Sequence, residues 1–330
     1  MRLQLGVDGG GSKAVAVVAT PEGDIVGAAR QLGTADIYAS GGEEASVGLV
    51  ERVVDAALAQ AGADRRGVSR AVLSLAGADW PEDFAYHATS WEGFGFGGPA
   101  LIVNDAIGAL AGAVPEGPAV VVSIGTGAAT GARGPEGRLW HSSFWQAPHG
   151  AAELARRTLD ATVQAELGIG EATAMRAALL QITGDDEIEA VLHRYTARDA
   201  EPLPVGPLVS ALLAAARDGD VVASAVVDDH GRGLGQVAAA AARRVAIDTM
   251  PFALSFTGGL AQVGADTLVP SALRAVELSG QTPHLVPARW QPALGALVIG
   301  FQADGRWDRG VAERLDATLP PSSLYEVLSA

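Results

Sequence analysis

The chain has 330 residues, is 48% hydrophobic and carries no cysteine. It is long enough for two lobes with sizeable cores, while disulfides, thiolate catalysis and thiolate-held metals are excluded. A formal net charge of −15 disfavours nucleic acid and anionic membrane as partners, since both need a basic surface, yet it leaves room for a nucleotide that needs only local positive groups.

The first expected element is a hairpin. Leu3 to Asp8 is an apolar run, Gly9-Gly10-Gly11-Ser12-Lys13 is a glycine turn, and Ala14 to Ala19 is a second run, closed by Pro21-Glu22-Gly23. Runs of this length between Gly and Pro turns read as strands. Ile25 to Arg30 reads as a third strand, and residues 43–61 as an amphipathic helix closed by Gly62. Ala71 to Ala76 is a buried strand ending at Gly77, and Ala100 to Val103 another, ending at Asn104-Asp105. A helix is expected over 106–113, and the segment Glu92 to Gly98 reads as a surface loop. Alternating strands and helices predict an α/β sheet with parallel strands. The boundary is expected in the loop Val114 to Pro118, which gives lobes 1–114 and 115–330.

The second half repeats the first device. Ala119 to Ile124, the turn Gly125-Thr126-Gly127, Ala128 to Arg133 and Pro135-Glu136-Gly137 follow in the same order. Helices are expected over 151–168, 171–183, 205–217 and 220–247, with a bend or break at Gly231, Gly233 and Gly235. Ala253 to Thr257 reads as a strand ending in Gly258-Gly259, residues 285–287 as a short strand, and Pro292 as the opening of a helix. One more short helical segment is expected within 305–330, with the residues beyond 300 packing back on the first lobe.

A glycine turn lets backbone N–H groups approach a phosphate closely, because no Cβ intervenes. Ser12 and Thr126 add hydroxyl donors, and Lys13 adds positive charge. Asp8 is badly placed for a phosphate unless a divalent cation lies between. Mg²⁺ keeps waters and takes one or two carboxylates plus phosphate oxygens, so Asp8 is a candidate Mg²⁺ residue through water. Rival readings are weaker. Gly9 to Ala14 fits the G-x-G-x-x-A dinucleotide string, but a strand follows where that motif opens a helix, and no P-loop string occurs. Two turns facing each other would clamp a polyphosphate, which points to an ATP-dependent phosphotransferase.

Asp8-Gly9-Gly10-Gly11-Ser12-Lys13, Asn104-Asp105-Ala106, Gly125-Thr126-Gly127 and Thr257-Gly258-Gly259 resemble, in that order, the phosphate-1, catalytic, phosphate-2 and adenosine motifs of the actin-like sugar kinases. The branch they look like is that of the N-acetylglucosamine kinases within the BadF/BadG/BcrA/BcrD ATPase family, among which glucosamine kinases also occur. The likeness covers nearly the whole chain; each motif alone is weak, and four in order are specific. The resemblance implies a duplicated ribonuclease-H-like α/β fold of two lobes, with ATP and a sugar in the cleft. It implies nucleotide contacts from Gly10, Gly11, Ser12, Lys13, Gly125, Thr126, Gly127, Gly258 and Gly259. It also implies that Asp105 takes the proton from a sugar hydroxyl. The plainer role for Asp105 is at the start of a helix, but the carboxyl edge of a sheet is where open α/β folds bind ligands. A homodimer is common among such relatives.

The chain departs from that branch around the sugar. A Gly-Asp-Glu-Gly-Ser string is replaced by Gln146-Ala147-Pro148-His149-Gly150-Ala151, and a Ser-Thr-Asn string by Gly33-Thr34-Ala35-Asp36. Sugar contacts are expected from Thr34, Asp36, Asn104, Asp105, Gln146 and His149. The charge of Asp36 favours a C2 ammonium over an acetamido group, and hence glucosamine, phosphorylated at O6, over N-acetylglucosamine or another hexose. Trp140 and Trp145 are expected as core or cleft wall, and packing at a helix start competes with sugar contact for His149. Reductase-activating ATPases of the same family need cysteine-held iron–sulfur centres. A sugar-sensing regulator on this fold would carry a DNA-binding domain, which an acidic chain opening on the first hairpin is not expected to have. No apolar run reaches the roughly 18 uncharged residues of a membrane span, and the apolar start meets Asp8 too soon for a signal peptide, so a cytoplasmic location is expected.

Overall fold

The computed structural model describes residues 2–39 and 41–325. Its first sheet contains β1 (Leu3–Gly9), β2 (Lys13–Ala19), β3 (Ile25–Leu32), β4 (Val68–Leu75) and β5 (Ala100–Asn104), in the order β3-β2-β1-β4-β5. The second contains β6 (Ala119–Ile124), β7 (Ala128–Arg133), β8 (Leu139–His141), β9 (Phe252–Thr257) and β10 (Pro283–Leu285), in the order β10-β9-β6-β7-β8. In the first sheet β1 runs antiparallel to β2 and parallel to β4, β2 antiparallel to β3, and β4 parallel to β5. The second repeats this arrangement, with β6 antiparallel to β7 and parallel to β9, β7 antiparallel to β8, and β9 parallel to β10. The molecule is thus a duplicated ribonuclease-H-like α/β fold.

Twelve helices complete it: α1 (Gly42–Gln60), α2 (Pro81–Glu92), α3 (Asp105–Ala113), α4 (Ala151–Glu166), α5 (Met175–Thr183), α6 (Ile188–Thr196), α7 (Val205–Arg217), α8 (Val221–Arg244), α9 (Gly259–Val263), α10 (Leu268–Leu278), α11 (Pro292–Ala303) and α12 (Arg309–Ala317), counted among the described residues. Strand alternation divides the apolar side chains between two faces of the first sheet. Ala14, Ala16 and Val18 of β2 join Val53 and Leu58 of α1, while Val15, Val17 and Ala19 join Leu297 and Phe301 of α11 and Leu315 of α12. The chain beyond α12 stays on this sheet: Thr318 Oγ1 accepts from Ile25 N at 2.9 Å, and Arg30 donates to the Ser323 carbonyl at 3.1 Å.

One helix joins the halves. A Cβ on Gly295 of α11 would lie 1.9 Å from the Gly108 carbonyl of α3, and one on Gly131 of β7 would lie 2.4 Å from the Ala106 carbonyl. Helix α3 is therefore wedged between α11 and β7 at backbone contact. Its Ile107 and Leu110 share a core with Ala119 and Val121 of β6. That placement holds the first turn of α3, and so Asp105, between the two sheets.

Several expectations needed correction. Helix α8 runs unbroken through its glycines, which serve close packing rather than a bend. A Cβ on Gly231 or Gly235 would stand 2.7 or 2.1 Å from carbonyls of Leu268 and Ala272, and one on Gly233 would stand 2.1 Å from His149 Nε2. Helices α2, α6, α9 and α10 and the strand β8 arise where none was read. For α2 the signal was present: Pro81 opens the first turn, and the Asp83 carboxylate accepts from the amides of Asp79 and Trp80 at 3.0 and 2.7 Å. The strand expected at 285–287 lies at Pro283–Leu285. Residues 326–330, part of the expected tail, fall outside the described residues, as does the side chain of Pro148. No described helix is long and apolar enough to cross a membrane.

Candidate active site between the two sheets

The chemistry-bearing residues lie where the central parallel strands end. β1 runs into Gly9 to Lys13, β4 into Ala76 to Asp79, β5 into Asn104-Asp105, β6 into Gly125 to Gly127, and β9 into Gly258-Gly259. Ligands of open α/β sheets bind at such edges. The first turn is closed by Gly10 N to Lys13 O at 2.9 Å. The loop after β3 is tied to it by Ala35 N to Gly10 O at 2.9 Å and Gly33 N to Ser12 O at 3.1 Å. The second turn is closed by Gly125 N to Gly127 O at 2.8 Å, and the first amides of α4, Ala151 and Ala152, donate to the carbonyls of Gly125 and Thr126. A Cβ on Gly11, Gly125, Gly127 or Gly259 would meet nothing within 4 Å. These backbones are open to a ligand, and the free space is not needed for folding. Gly258 differs: at φ 91° its Cβ would stand 2.4 Å from the Ile124 carbonyl, so only glycine fits beside the second turn.

Asp105 is the first residue of α3. Asn104 caps the helix, its Oδ1 accepting from Ala106 N at 3.0 Å. Burial pushes the Asp105 carboxyl up to about 7, helped by the negative charges of Asp8, Asp79 and Asp36. Burial also raises Asp8, to about 6, against the opposing pull of Lys13. The ammonium of Lys13 is lowered by burial, partly offset by Asp8. A carboxyl near neutrality at the mouth of a glycine cradle can accept a proton at physiological pH.

The expected residues fall into two groups. Asp8, Lys13, Asp36 and Asp105 come together through these charge interactions, Asn104 joins them as the cap of α3, and Thr34 joins them through its loop, its hydroxyl accepting from Asp36 N at 3.1 Å. One Asp36 oxygen accepts from Tyr38 N at 2.9 Å and lies against Gly77. Lys13 is also engaged, donating to the carbonyl of Tyr325, whose buried hydroxyl is raised in pKa by its burial and by Asp8. Gln146 and His149 are held by partners within the second half. The Gln146 Oε1 accepts from Thr130 and Ser142 hydroxyls at 2.7 and 2.9 Å, so this acceptor is engaged within the protein, while its buried Nε2 has no partner. The His149 ring packs against Gly233 and lies 5.7 Å from the ring of His230, whose Nε2 meets the His149 carbonyl at 2.9 Å. Trp140 packs on the second core, and Trp145 is exposed.

The donor set suits a magnesium-bound polyphosphate better than a bare metal. Among the described residues no group of three or more His, Cys, Asp or Glu side chains is arranged to hold a metal ion. Asp8, buried and raised, is a carboxylate in want of a cation, and the open turns present backbone to anionic oxygens. Asp8 would reach a Mg²⁺ that arrives with the polyphosphate through water, and the cation would supply charge neutralisation there.

Sequence reasoning missed Asp79, Ser143, Tyr38 and Phe144. Asp79 accepts from Asn104 Nδ2 at 2.9 Å, and its carboxyl is raised by burial despite a hydrogen bond from Ser143. It lies in the loop Ala76 to Asp79 after β4, a carboxyl near the end of a parallel strand. The other three depend on the approach of distant segments, which no local pattern encodes.

The sequence model of the BadF/BadG/BcrA/BcrD ATPase family matches residues 5–300. The N-acetylmuramic acid/N-acetylglucosamine kinase of Clostridium acetobutylicum is 23% identical over 303 residues, which is 91% of this chain and 98% of that protein. A provisionally assigned N-acetylglucosamine kinase from Chromobacterium violaceum superposes with a TM-score of 0.70 at 26% identity, over 91% of this chain and 99% of the other. A ROK family glucokinase from Streptomyces griseus, solved with glucose and AMPPNP, shares the fold at a TM-score of 0.60 and 18% identity, over 92% and 99% of the two chains.

Proposed function

Because the chain belongs to the BadF/BadG/BcrA/BcrD ATPase family, we propose that it is an ATP-dependent sugar kinase, and that glucosamine, phosphorylated at O6, is its substrate. The observation that carries the reading is Asp105: a carboxyl raised to about 7 under the influence of Asp8, on the first turn of the helix packed between α11 and β7. The kinase names of the Clostridium acetobutylicum and Chromobacterium violaceum proteins support the reaction class.

In this reading the backbone of Gly10 to Lys13 and of Gly125 to Gly127 holds the polyphosphate from two sides, with Gly258-Gly259 beside the nucleoside. Bound MgATP supplies the phosphoryl group and the cation that neutralises it. Asp105 orients the sugar hydroxyl and takes its proton as the oxygen attacks phosphorus. The new O–P bond forms as the bond to the β-phosphate oxygen breaks, and ADP leaves. Lys13 shifts from the Tyr325 carbonyl to a phosphate oxygen. Asp36, with one oxygen outside its own turn, meets the C2 ammonium of the sugar, while Asn104, expected from the sequence as a sugar contact, has both amide N–H groups engaged by Ala78 and Asp79 and serves as the cap of α3. Acidic side chains around the acceptor favour an amino sugar over its acetylated form.

A coupled ADP assay over glucosamine, N-acetylglucosamine, glucose and mannosamine tests this. Glucosamine is expected to give the highest kcat/KM, and Asp36→Ala to raise KM for glucosamine far more than for glucose. Preference for N-acetylglucosamine would remove the ammonium argument and leave the kinase standing. No ADP with any sugar would remove both.

A further inference from the structure

Besides α11, α12 and the chain beyond them, one short segment of the second half reaches the first. Residues 143–149 follow β8 and are pinned from beneath by buried Gln146. Ser143 sits at φ 43°, in the left-handed region that a serine adopts only where its surroundings hold it. The hydroxyl has one proton. Given to Asp79, it leaves the Ser143 oxygen to accept from His141 Nδ1, 2.8 Å away. The next side chain, Phe144, crosses to the first half. It stacks on Trp80, with centroids 6.2 Å apart and planes at 9°, and meets Tyr38 edge-on at 5.1 Å. Tyr38 is anchored in turn by donating to Asp83 at 2.8 Å.

Asp79 receives the Ser143 contact and passes it on. Its Oδ1 accepts from Asn104 Nδ2 at 2.9 Å, and the other end of that amide, Oδ1, accepts from Ala106 N at 3.0 Å. The remaining hold on the Asn104 amine is the Ala78 carbonyl at 3.2 Å. Hydrogen bonds therefore run from Asp79 through Asn104 to the cap of the helix whose first residue is Asp105, and Ser143 of the second half acts on the Asp79 carboxyl from the other side.

We propose that Asp79 is a positioning residue for phosphoryl transfer: its bond from Ser143, made when the two halves close, fixes Asn104 and the first turn of α3 so that Asp105 is aligned only in the shut cleft. The inference rests on the kinase reading for its purpose. Asp79 acts through Asn104 and touches no reacting atom. Phe144 in its aromatic slot supplies the attraction that brings Ser143 into range, and the hydroxyl reports that the halves have met. Such coupling makes transfer conditional on closure, which keeps water from the phosphoryl group.

The test is a double-mutant cycle of Asp79→Ala and Ser143→Ala, with Asp79→Asn as the conservative variant. Each alanine variant is expected to lower kcat by about tenfold with KM for ATP within about twofold, the double variant being no worse than the worse single. Asp79→Asn, which can still accept from Asn104, is expected to recover most of the loss. Additive effects, or a loss confined to KM with no recovery in Asp79→Asn, would overturn the proposal. Amide hydrogen exchange at Ala106, measured with a non-hydrolysable ATP analogue bound and the cleft shut, gives a readout that needs no activity: Ser143→Ala is expected to speed it several-fold from the opposite half of the molecule. Unchanged exchange there would overturn the link even if Asp79→Ala failed to fold. A wild-type protein that phosphorylates no sugar would defeat the kinase reading alone, and the exchange result would still decide whether the path exists.

Discussion

The two hairpins share a backbone plan and differ in chemistry. Asp8 and Ser123 hold matching places: each stands near the end of the central strand, Asp8 beside Ser74 of the parallel neighbour and Ser123 beside Thr257. The first turn adds Lys13, and the second adds only the Thr126 hydroxyl. The second turn is instead braced by the amides of Ala151 and Ala152, whereas the first is braced by the loop that carries Thr34 and Asp36. Duplication has preserved strand order, register and open glycines, which shape a cradle. Charge has been placed in one half only. A symmetric clamp needs donors on both sides, but proton transfer and cation binding need a single acidic side, and the first half provides it.

The largest effect should come from the acidic side. Asp105→Ala is expected to cut kcat by about 10²–10⁴-fold, the range of a lost general base, while the dissociation constant of an ATP analogue, read by calorimetry, changes little. Turnover equal to wild type would remove the assignment. The paired variants Asp8→Asn and Ser123→Ala test the asymmetry itself. Asp8→Asn is expected to lower kcat/KM for ATP by about tenfold or more and to raise the magnesium requirement, and Ser123→Ala to change it by less than about threefold. Equal losses would mean that the two turns do the same work.

A smaller effect separates cradle from scaffold. Gly125→Ala and Gly11→Ala put a methyl into open space. Thermal stability should be retained while KM for ATP rises about tenfold, a cost of about 1.4 kcal/mol. Gly258→Ala should do the reverse first, destabilising the fold by about 1–3 kcal/mol through its positive φ and the Ile124 carbonyl. If Gly125→Ala bound ATP normally, the second turn would be scaffold as well.

The smallest effect concerns pH. Asp105 holds its proton more tightly in the folded protein, at about 7, than the 3.8 of an ordinary aspartate. Between these values the folded state binds more protons, so this group's contribution to stability declines as pH rises from near 4 through 7. Asp105→Asn is therefore expected to melt a few degrees above wild type at pH 8 and close to it at pH 4. The same group predicts that kcat/KM falls on acidification below about pH 7, where the base becomes protonated. A melting difference that does not change with pH would contradict the raised carboxyl.

How much of this was legible follows from where the information lies. The strands and glycine turns are local patterns, so the hairpins and the strand ends could be read directly, while the roles given to Asn104 and Asp105 came from the resemblance of their motif. The apolar runs of β1, β2 and β6 also foretold buried strands. Gly231, Gly233 and Gly235 misled because a glycine within a helix pattern signals either a break or a close neighbour, and the neighbours, Leu268, Ala272 and His149, are distant in sequence. Gln146 and His149 were read as sugar contacts because they occupy the place of an acidic string. Their partners, Thr130, Ser142 and His230, lie on other elements and draw them into packing. Asp79 belongs to no motif of the resemblance that pointed to Asp105, although it too lies in the loop after a parallel strand.

The central claim is that a nucleotide's phosphate chain lies between the two glycine turns. A crystal structure with a non-hydrolysable ATP analogue and magnesium tests it most directly. The account predicts phosphate oxygens within hydrogen-bonding distance of backbone amides in both Gly10 to Lys13 and Gly125 to Gly127, with the terminal phosphate facing Asp105. A phosphate chain held by one turn alone, or bound away from the edge where β1 and β6 end, would contradict it.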